Sequence, residues 1–261
     1  MSALALIKIG GGLITDKEKP LAVRETMMRA AARSLANAIR ANPSVSFLIG
    51  NGAGSFGHFI ASLNRAPDAV GFDADHVAEI HASVVKLNAI FVDHLIEEGV
   101  PAVSVSPAEH ISCNDAVVTH QSTDSLLALL SAKKVPVIFG DILRDEVRGG
   151  TIFSTESLFE IIIPSLTSFD DISVIYAGNT EGILDGAGTV IPEIRARDAQ
   201  AYASNMTSPL GFDVTGGMRH KLESAARMTR LAKRVYIVSG SDPSAITKAT
   251  AGEAVGTRIL S

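Results

Sequence analysis

The chain has no tryptophan, and aromatic residues make up only 5% of its 261 positions. Single-stranded nucleic acids are held on aromatic platforms beside basic grooves. Here Lys and Arg number 23 against 28 Asp and Glu, a net charge of −5 without a basic block. Both shortages argue against a nucleic-acid partner. The single cysteine, Cys113, excludes an internal disulfide, offers no metal-ligand cluster and reads as a small buried side chain. Long apolar runs are also missing. The apolar start, Ala3 to Ile9, is interrupted by Lys8 and is too short for a signal h-region or a membrane span. These absences predict a soluble, cytoplasmic protein with no membrane partner.

What is present is a core-forming chain, 46% hydrophobic, with glycine concentrated in particular places. Ala3–Ile9, Ser46–Ile49, Pro101–Val105, Val135–Phe139, Ile172–Tyr176 and Arg234–Val238 are short, nearly unbroken apolar runs, as expected of strands buried on both faces. Helical spacing separates them over Val23–Arg40, Asp75–Glu98, Gln121–Ala132, Ser154–Leu166, Thr215–Lys233 and Pro243–Ala251. Thr257–Leu260 reads as a final strand, and Leu143–Phe153 as a hairpin centred on Gly149-Gly150. Ile60–Asp73 reads as irregular, Pro107–Val118 as a connection, and Thr180–Ile191 as turn-rich with room for a second hairpin. The alternation predicts an α/β fold, a three-layer αβα sandwich around a mainly parallel sheet. It forms a single domain over 1–261, with a soft boundary near residue 140 between two lobes. Right-handed crossovers collect the strand C-termini, and the loops that follow them, along one edge.

Lys8–Gly12, Gly50–His58, Gly140-Asp141 and Ala177–Gly182 follow strands and belong to that edge, and four stretches of the chain carry chemistry. In Gly50–His58, the residues Gly52, Ala53, Gly54, Ser55 and Gly57 leave the backbone bare enough for amides to reach an anion, and His58 adds a donor. Gly10-Gly11-Gly12 follows Lys8, which reads either as a lysine snorkelling at a strand end or as a point charge on phosphates. Lys17 lies in a polar loop and, taken alone, reads as a solvated charge. In Asp213–Lys221, Thr215 is a good N-cap and Gly216 and Gly217 free the first-turn amides. Lys221 follows about one and a half turns in, so this is either a capped structural helix or a phosphate clamp. No G-x-x-x-x-G-K-[ST] loop occurs, which excludes a P-loop kinase. A dinucleotide-binding Rossmann unit stays as a competitor, because Gly52-Ala53-Gly54 with Gly57 three further on matches the bare glycine pattern.

Together these runs resemble the amino acid kinase superfamily, and within it most closely the isopentenyl phosphate kinases. The resemblance spans the whole chain through Lys8–Gly12, Gly52–His58, Pro136–Asp141, Asp213–Met218 with Lys221, and Gly256–Ile259. It implies ATP-dependent phosphorylation of a small monophosphate to a diphosphate, with ATP and Mg²⁺ as cofactors, no protein-held metal cluster, and a homodimer. It further implies an acceptor lobe over about 1–140 and a nucleotide lobe over about 141–261. By resemblance Lys8, Lys17 and Lys221 hold the phosphates and the migrating charge, and Gly10, Gly11, Gly12, Gly54, Asn179, Gly216 and Gly217 lie at the nucleotide. His58 holds the acceptor phosphate together with Gly52–Gly57 and Gly140. The chain departs from the family pattern at Ser154-Thr155-Glu156, where a Ser-Gly-Asp run is usual and Glu156 stands as organiser. It departs again at Ala177–Gly182, where Thr-Asp-Val-Asp-Gly is usual. Two alternatives remain open at this point. One is a kinase for another small phosphate or phosphonate, like fosfomycin kinase; the other is a nucleotide-binding homologue with weakened catalysis.

Overall fold

A computed structural model describes residues 2–63, 71–205 and 217–261. The chain opens with β1 (Ala3–Ile9), a short α1 (Gly11–Ile14), α2 (Glu25–Ala41), β2 (Val45–Asn51), α3 (Gly54–Leu63) and α4 (Ala74–Glu97). It continues through β3 (Ala102–Ser104), β4 (Ile111–Asn114), β5 (Val117–Gln121), α5 (Asp124–Ser131), β6 (Val135–Phe139), β7 (Asp141–Asp145) and β8 (Gly149–Phe153). It then runs through α6 (Thr155–Ile162), β9 (Asp171–Gly178), β10 (Glu193–Arg195), α7 (Ala199–Asn205), α8 (Gly217–Met228), β11 (Arg234–Ser239), α9 (Ala245–Ala251) and β12 (Thr257–Leu260).

The main sheet has the order β10-β12-β11-β9-β1-β2-β6-β3. Every pair in it is parallel except β11 with β12. Its strands are buried on both faces, which is why they read as continuous apolar runs. Leu4, Leu6, Leu48, Val174, Tyr176 and Ile237 face α5, α6 and α8. Ala5, Ile7, Ile49, Ile175, Tyr236 and Val238 face α2, α4 and α9. The sandwich is thus three layers deep, as expected. A second sheet, β5-β4-β7-β8, unites chain from both sides of residue 140.

Six strands leave the same edge, and five of them, β1, β2, β6, β9 and β11, leave through a glycine. The amides of Gly10, Gly52, Gly140 and Gly240 donate to Ala177 O (2.8 Å), Ile9 O (2.9 Å), Asn51 O (3.1 Å) and Gly178 O (2.8 Å). The ladder therefore continues past the side-chain-bearing residues into a row of bare peptides.

Several local expectations are corrected. The Gly54 segment is not loop up to His58: α3 begins at Gly54, so its first-turn amides point back along the edge. The β7–β8 turn is centred on 146–148, and Gly149, at φ 70, opens the return strand. The span 107–118 contains β4 and half of a hairpin with β5. Within 180–191 the only pairing is a single bridge, Leu184 with Val190. Helix α8 is described from Gly217; Thr215 and Gly216 lie outside the described residues.

Candidate active site

Lys8 occupies the sixth position of β1 and points to the α6 face, because Leu4 and Leu6 do. Its register partner on β2 is Gly50, and on β9 Tyr176. Gly50 leaves the space that Thr155 fills, since a Cβ there would sit 2.3 Å from Thr155 Cγ2. Thr155 Oγ1 in turn donates to Asn51 O at 2.7 Å, which seats the start of α6 over β2. Ser154 caps that helix by accepting from Ser157 N at 3.1 Å. Glu156 is thereby delivered to Lys8, and the two form a hydrogen-bonded ion pair. Lys8 is 8% exposed.

Burial pushes the Glu156 carboxyl up, but the Lys8 ammonium, an α6 amide and the Lys221 charge outweigh it and hold the group below the usual carboxylate value. Lys221, on α8 and 9% exposed, brings its Nζ against the exit of β9: a Cβ on Gly178 would fall 2.3 Å from it. Burial, then the charge of Lys8, push the Lys221 pKa down to about 8, against the pull of Glu156; Lys17 adds to the lowering. Three ammonium groups and one carboxylate thus act on one another at the centre of the edge.

Lys17 is exposed and folds over the first glycine loop, with its Cε 2.9 Å from where a Gly12 Cβ would stand. Asn179 Nδ2 donates to Gly12 O at 3.3 Å, tying the β9 exit to the same loop. The two glycine loops pack backbone to backbone: a Cβ on Gly11 would meet Gly54 N at 2.3 Å and Gly52 O at 2.9 Å. Gly54 has φ 52, a conformation that favours glycine. Thr15 clasps the two loops, its Oγ1 donating to Gly11 O at 2.8 Å and accepting from Ser55 N at 3.0 Å. Ala53 and Gly57 touch across the first turn of α3, and Gly140 carries the edge on to β6. Of His58 the helical backbone is described, in that first part of α3, and its side chain lies outside the described residues. Gly216 is also outside them, and at Gly217, which begins α8, no described atom lies within 4 Å of where a Cβ would stand.

The structure therefore gathers Lys8, Lys17, Lys221, Glu156, Asn179 and both glycine loops into one place. It also shows residues that sequence reasoning missed. Beneath α4, Ser104 Oγ donates to Asn88 Oδ1 (2.5 Å) and Asn88 Nδ2 donates to Asn51 Oδ1 (2.8 Å). Asn51 Nδ2 is buried without a partner among the described residues. Behind Lys221, Ser224 Oγ donates to Glu160 (2.9 Å) and Arg227 forks onto both Glu160 oxygens (2.9 and 3.1 Å). Tyr176 OH meets Ser224 Oγ at 3.1 Å. On the far side, His81 of α4 faces the buried Asp141. The signal that could have found Glu160 and Ser224 is the i, i+4 spacing of Glu156 and Glu160, and the i, i+3 spacing of Lys221 and Ser224, on their helices.

Among the described residues no group of His, Cys, Asp or Glu is arranged to hold a metal ion. The arrangement is instead one of ammonium groups set against glycine backbone, which suits the binding of anions and so the movement of a phosphoryl group between two phosphates.

Comparison with known proteins agrees. Residues 3–239 match the model of the amino acid kinase family. Isopentenyl phosphate kinase of Haloferax volcanii is 31% identical, with 98% of each chain covered. That of Methanothermobacter thermautotrophicus is 30% identical, again over 98% of each. Among solved structures, an isopentenyl phosphate kinase superposes with a TM-score of 0.77 at 24% identity, over 98% of this chain and 100% of the other, a likeness of fold. The chain belongs to the amino acid kinase family and, within it, to the isopentenyl phosphate kinases.

Proposed function

We infer that this chain transfers the γ-phosphoryl group of ATP to isopentenyl phosphate, giving isopentenyl diphosphate and ADP. The observation that carries the reading is the cluster of Lys8, Glu156 and Lys221 packed against two interlocked glycine loops. In the reaction an oxygen of the acceptor phosphate forms a bond to the γ-phosphorus as the bond to the β–γ bridging oxygen breaks. The acceptor arrives as an anion, so no general base is required; alignment and charge neutralisation do the work. The Gly11 and Gly12 amides beside Gly10, with Asn179 and the glycines Gly216 and Gly217, hold the donor. Lys8, Lys17 and Lys221 follow the charge as it moves, and Glu156 keeps Lys8 and Lys221 close despite their repulsion. The α3 start, Gly52 to His58 with Gly140, holds the acceptor. Mg²⁺ bound with the nucleotide would add charge neutralisation at the phosphates held by these lysines and glycine loops.

An apolar wall supports a hydrocarbon tail on the acceptor. Ile60 of α3, Ile80 and Val77 of α4, Ile142 of β7 and Phe72 pack together beside the α3 start. We further read residues 1–140 as the acceptor half and 141–261 as the nucleotide half, and the enzyme as a cytoplasmic homodimer. No helix among the described residues is long and apolar enough to cross a membrane. Incubation with ATP, Mg²⁺ and isopentenyl phosphate, followed by ³¹P NMR, is expected to show a new diphosphate pair of resonances. No turnover across a panel of prenyl monophosphates overturns the reading. Turnover confined to polar phosphates or phosphonates favours the second reading, a kinase for such an acceptor; the polar pair His81–Asp141 near the apolar wall is the observation behind it.

A further inference from the structure

The acceptor end of the edge holds a charged pair that the transfer chemistry above does not use. Asp141 follows Gly140 at the exit of β6, and its side chain has no exposure to solvent. Both its oxygens face one atom, His81 Nδ1, at 3.0 and 3.1 Å; among the described residues the other donor to it is the adjacent Ile142 amide, at 2.8 Å. A buried carboxylate beside a phosphate dianion is doubly unfavourable, through desolvation and through repulsion. It becomes tolerable when an imidazolium neutralises it and presents its second N–H outward.

Placement supports that orientation. His81 is 35% exposed, and its Nε2 has no partner among the described residues. On α4 it shares a face with Val77 and Val84. Val84 Cγ1 lies 3.5 Å from where a Gly57 Cβ would stand, and Ser83 Oγ donates to Phe56 O at 2.8 Å. The helix turn carrying His81 is thus pinned against the first turn of α3. In the strand order β9-β1-β2-β6 the lysines occupy the β9 and β1 side, and His81 the β6 side.

We propose that His81 is a second imidazole of the acceptor site, donating its Nε2–H to the acceptor's phosphate, with Asp141 as the positioning residue that fixes the ring. The proposal rests on the kinase reading above. The charged groups facing the ring are Asp141 from β7 and Glu109 from the turn before β4. The hydrogen bond to Asp141 raises the imidazole pKa against the effect of burial, and the charges of Asp141 and Glu109 raise it further. The cationic form of the ring is therefore favoured, and it loses its proton as pH rises through that raised value, where acceptor affinity falls.

The test is steady-state kinetics of the full chain with ATP, Mg²⁺ and isopentenyl phosphate. His81→Phe is expected to raise the acceptor KM about tenfold or more, the range for a hydrogen bond to a charged group, with the ATP KM unmoved. His81→Gln, which keeps a neutral donor at the same reach, is expected to recover part of the loss. Asp141→Asn is expected to move the alkaline rise of acceptor KM to lower pH. An acceptor KM in His81→Phe within twofold of wild type overturns the proposal. Should that variant fail to fold, NMR of the wild-type His81 ring decides: its titration midpoint rises on adding isopentenyl phosphate, and an unmoved midpoint overturns the proposal. Wild-type turnover separates the two levels. Without it the kinase reading falls; with it, and with an unmoved KM and midpoint, only the role of His81 falls.

Discussion

The two faces of the sheet meet the same edge with opposite chemistry. On the α6 and α8 face, Lys8, Glu156 and Lys221 form a buried charged cluster, backed one turn away by Glu160, Ser224 and Arg227. On the α4 face, one residue further along β2, Asn51, Asn88 and Ser104 form a neutral chain of amides and a hydroxyl, and the His81–Asp141 pair stands apart toward β6. Asn51 belongs to both, because its carbonyl accepts from Thr155 Oγ1 and Gly140 N while its side chain turns toward α4. The difference follows from what each face must do. Charge that shifts during transfer is best met by preorganised ammonium groups in a site with little water. A loop that must only keep its shape is held by neutral hydrogen bonds, which add no field at the reacting atoms.

Three substitutions would break the comparison if they behaved alike. Lys221→Met has the largest expected effect. It removes a charge from the reacting centre and is expected to lower kcat by about 10²–10³, the scale for losing one preorganised electrostatic group. Stability should move the other way or not at all, since one of three mutually repelling ammonium groups is gone. Between pH of about 8 and the ordinary lysine value of 10.5, the unfolded chain binds more protons at Lys221 than the folded one. Wild-type stability therefore gains with pH across that window, and the variant should lack the gain. A fall in kcat of less than fivefold would contradict the role.

Glu156→Gln comes next. It leaves Lys8 and Lys221 without a counter-charge, with a stability loss of up to ~3 kcal/mol, the cost of breaking a buried pair from one side. Glu156 raises the Lys221 pKa, so its loss lowers that value below about 8. The alkaline limb of kcat/KM for ATP, which reports the free enzyme, should move to lower pH. A limb that stays in place, or moves up, would detach Glu156 from Lys221. Asn88→Ala is the matching cut on the other face. It strands Asn51 Oδ1 and Ser104 Oγ, for a stability loss of about 1–3 kcal/mol by thermal or urea unfolding. The pH limb should stay where it is; a shift would show that the neutral chain sets the field as well as the shape.

The same contrast explains what could be read before the fold was known. Parallel central strands such as Ala3–Ile9 and Ile172–Tyr176 are buried on both faces, so local apolarity was sufficient to find them. Lys8 and the glycine loops were legible because each adjoins a strand exit in sequence, whereas Lys221 was marked by the glycine pair before it and Lys17 by the family resemblance. The β4–β5 hairpin was not, because its turn residues Asp115 and Ala116 take φ 50 and 64 without a glycine. Asp145, 30 and 29 residues away, secures that turn by accepting from both amides at 3.0 and 2.6 Å, and it also holds Val147 N, Arg148 N and Thr151 Oγ1. A turn stabilised from outside leaves no local signal. The α3 start hid behind its own glycines, which are poor helix formers. Asn51 with Asn88, and His81 with Asp141, are 37 and 60 residues apart, beyond any helical or strand period.

The smallest expected effect tests how far the charged face extends. Ser224 Oγ donates its single proton to Glu160, so in the contact at 3.1 Å it is Tyr176 that donates to Ser224. Tyr176→Phe removes that donor and nothing else. Glu160 keeps Ser224 and both arms of Arg227, and the ring stays in its buried place among the α6 and α8 side chains. The expected loss is about 0.5–1.5 kcal/mol of stability, one neutral hydrogen bond, with kcat within about twofold. Tyr176 is also the register partner of Lys8 across β1 and β9. A kcat loss tenfold or greater at unchanged Tm would therefore mean that the chain from Tyr176 through Ser224 to Glu160 fixes where Lys221 stands. The charged region would then extend a full helical turn behind the cluster that meets the phosphates.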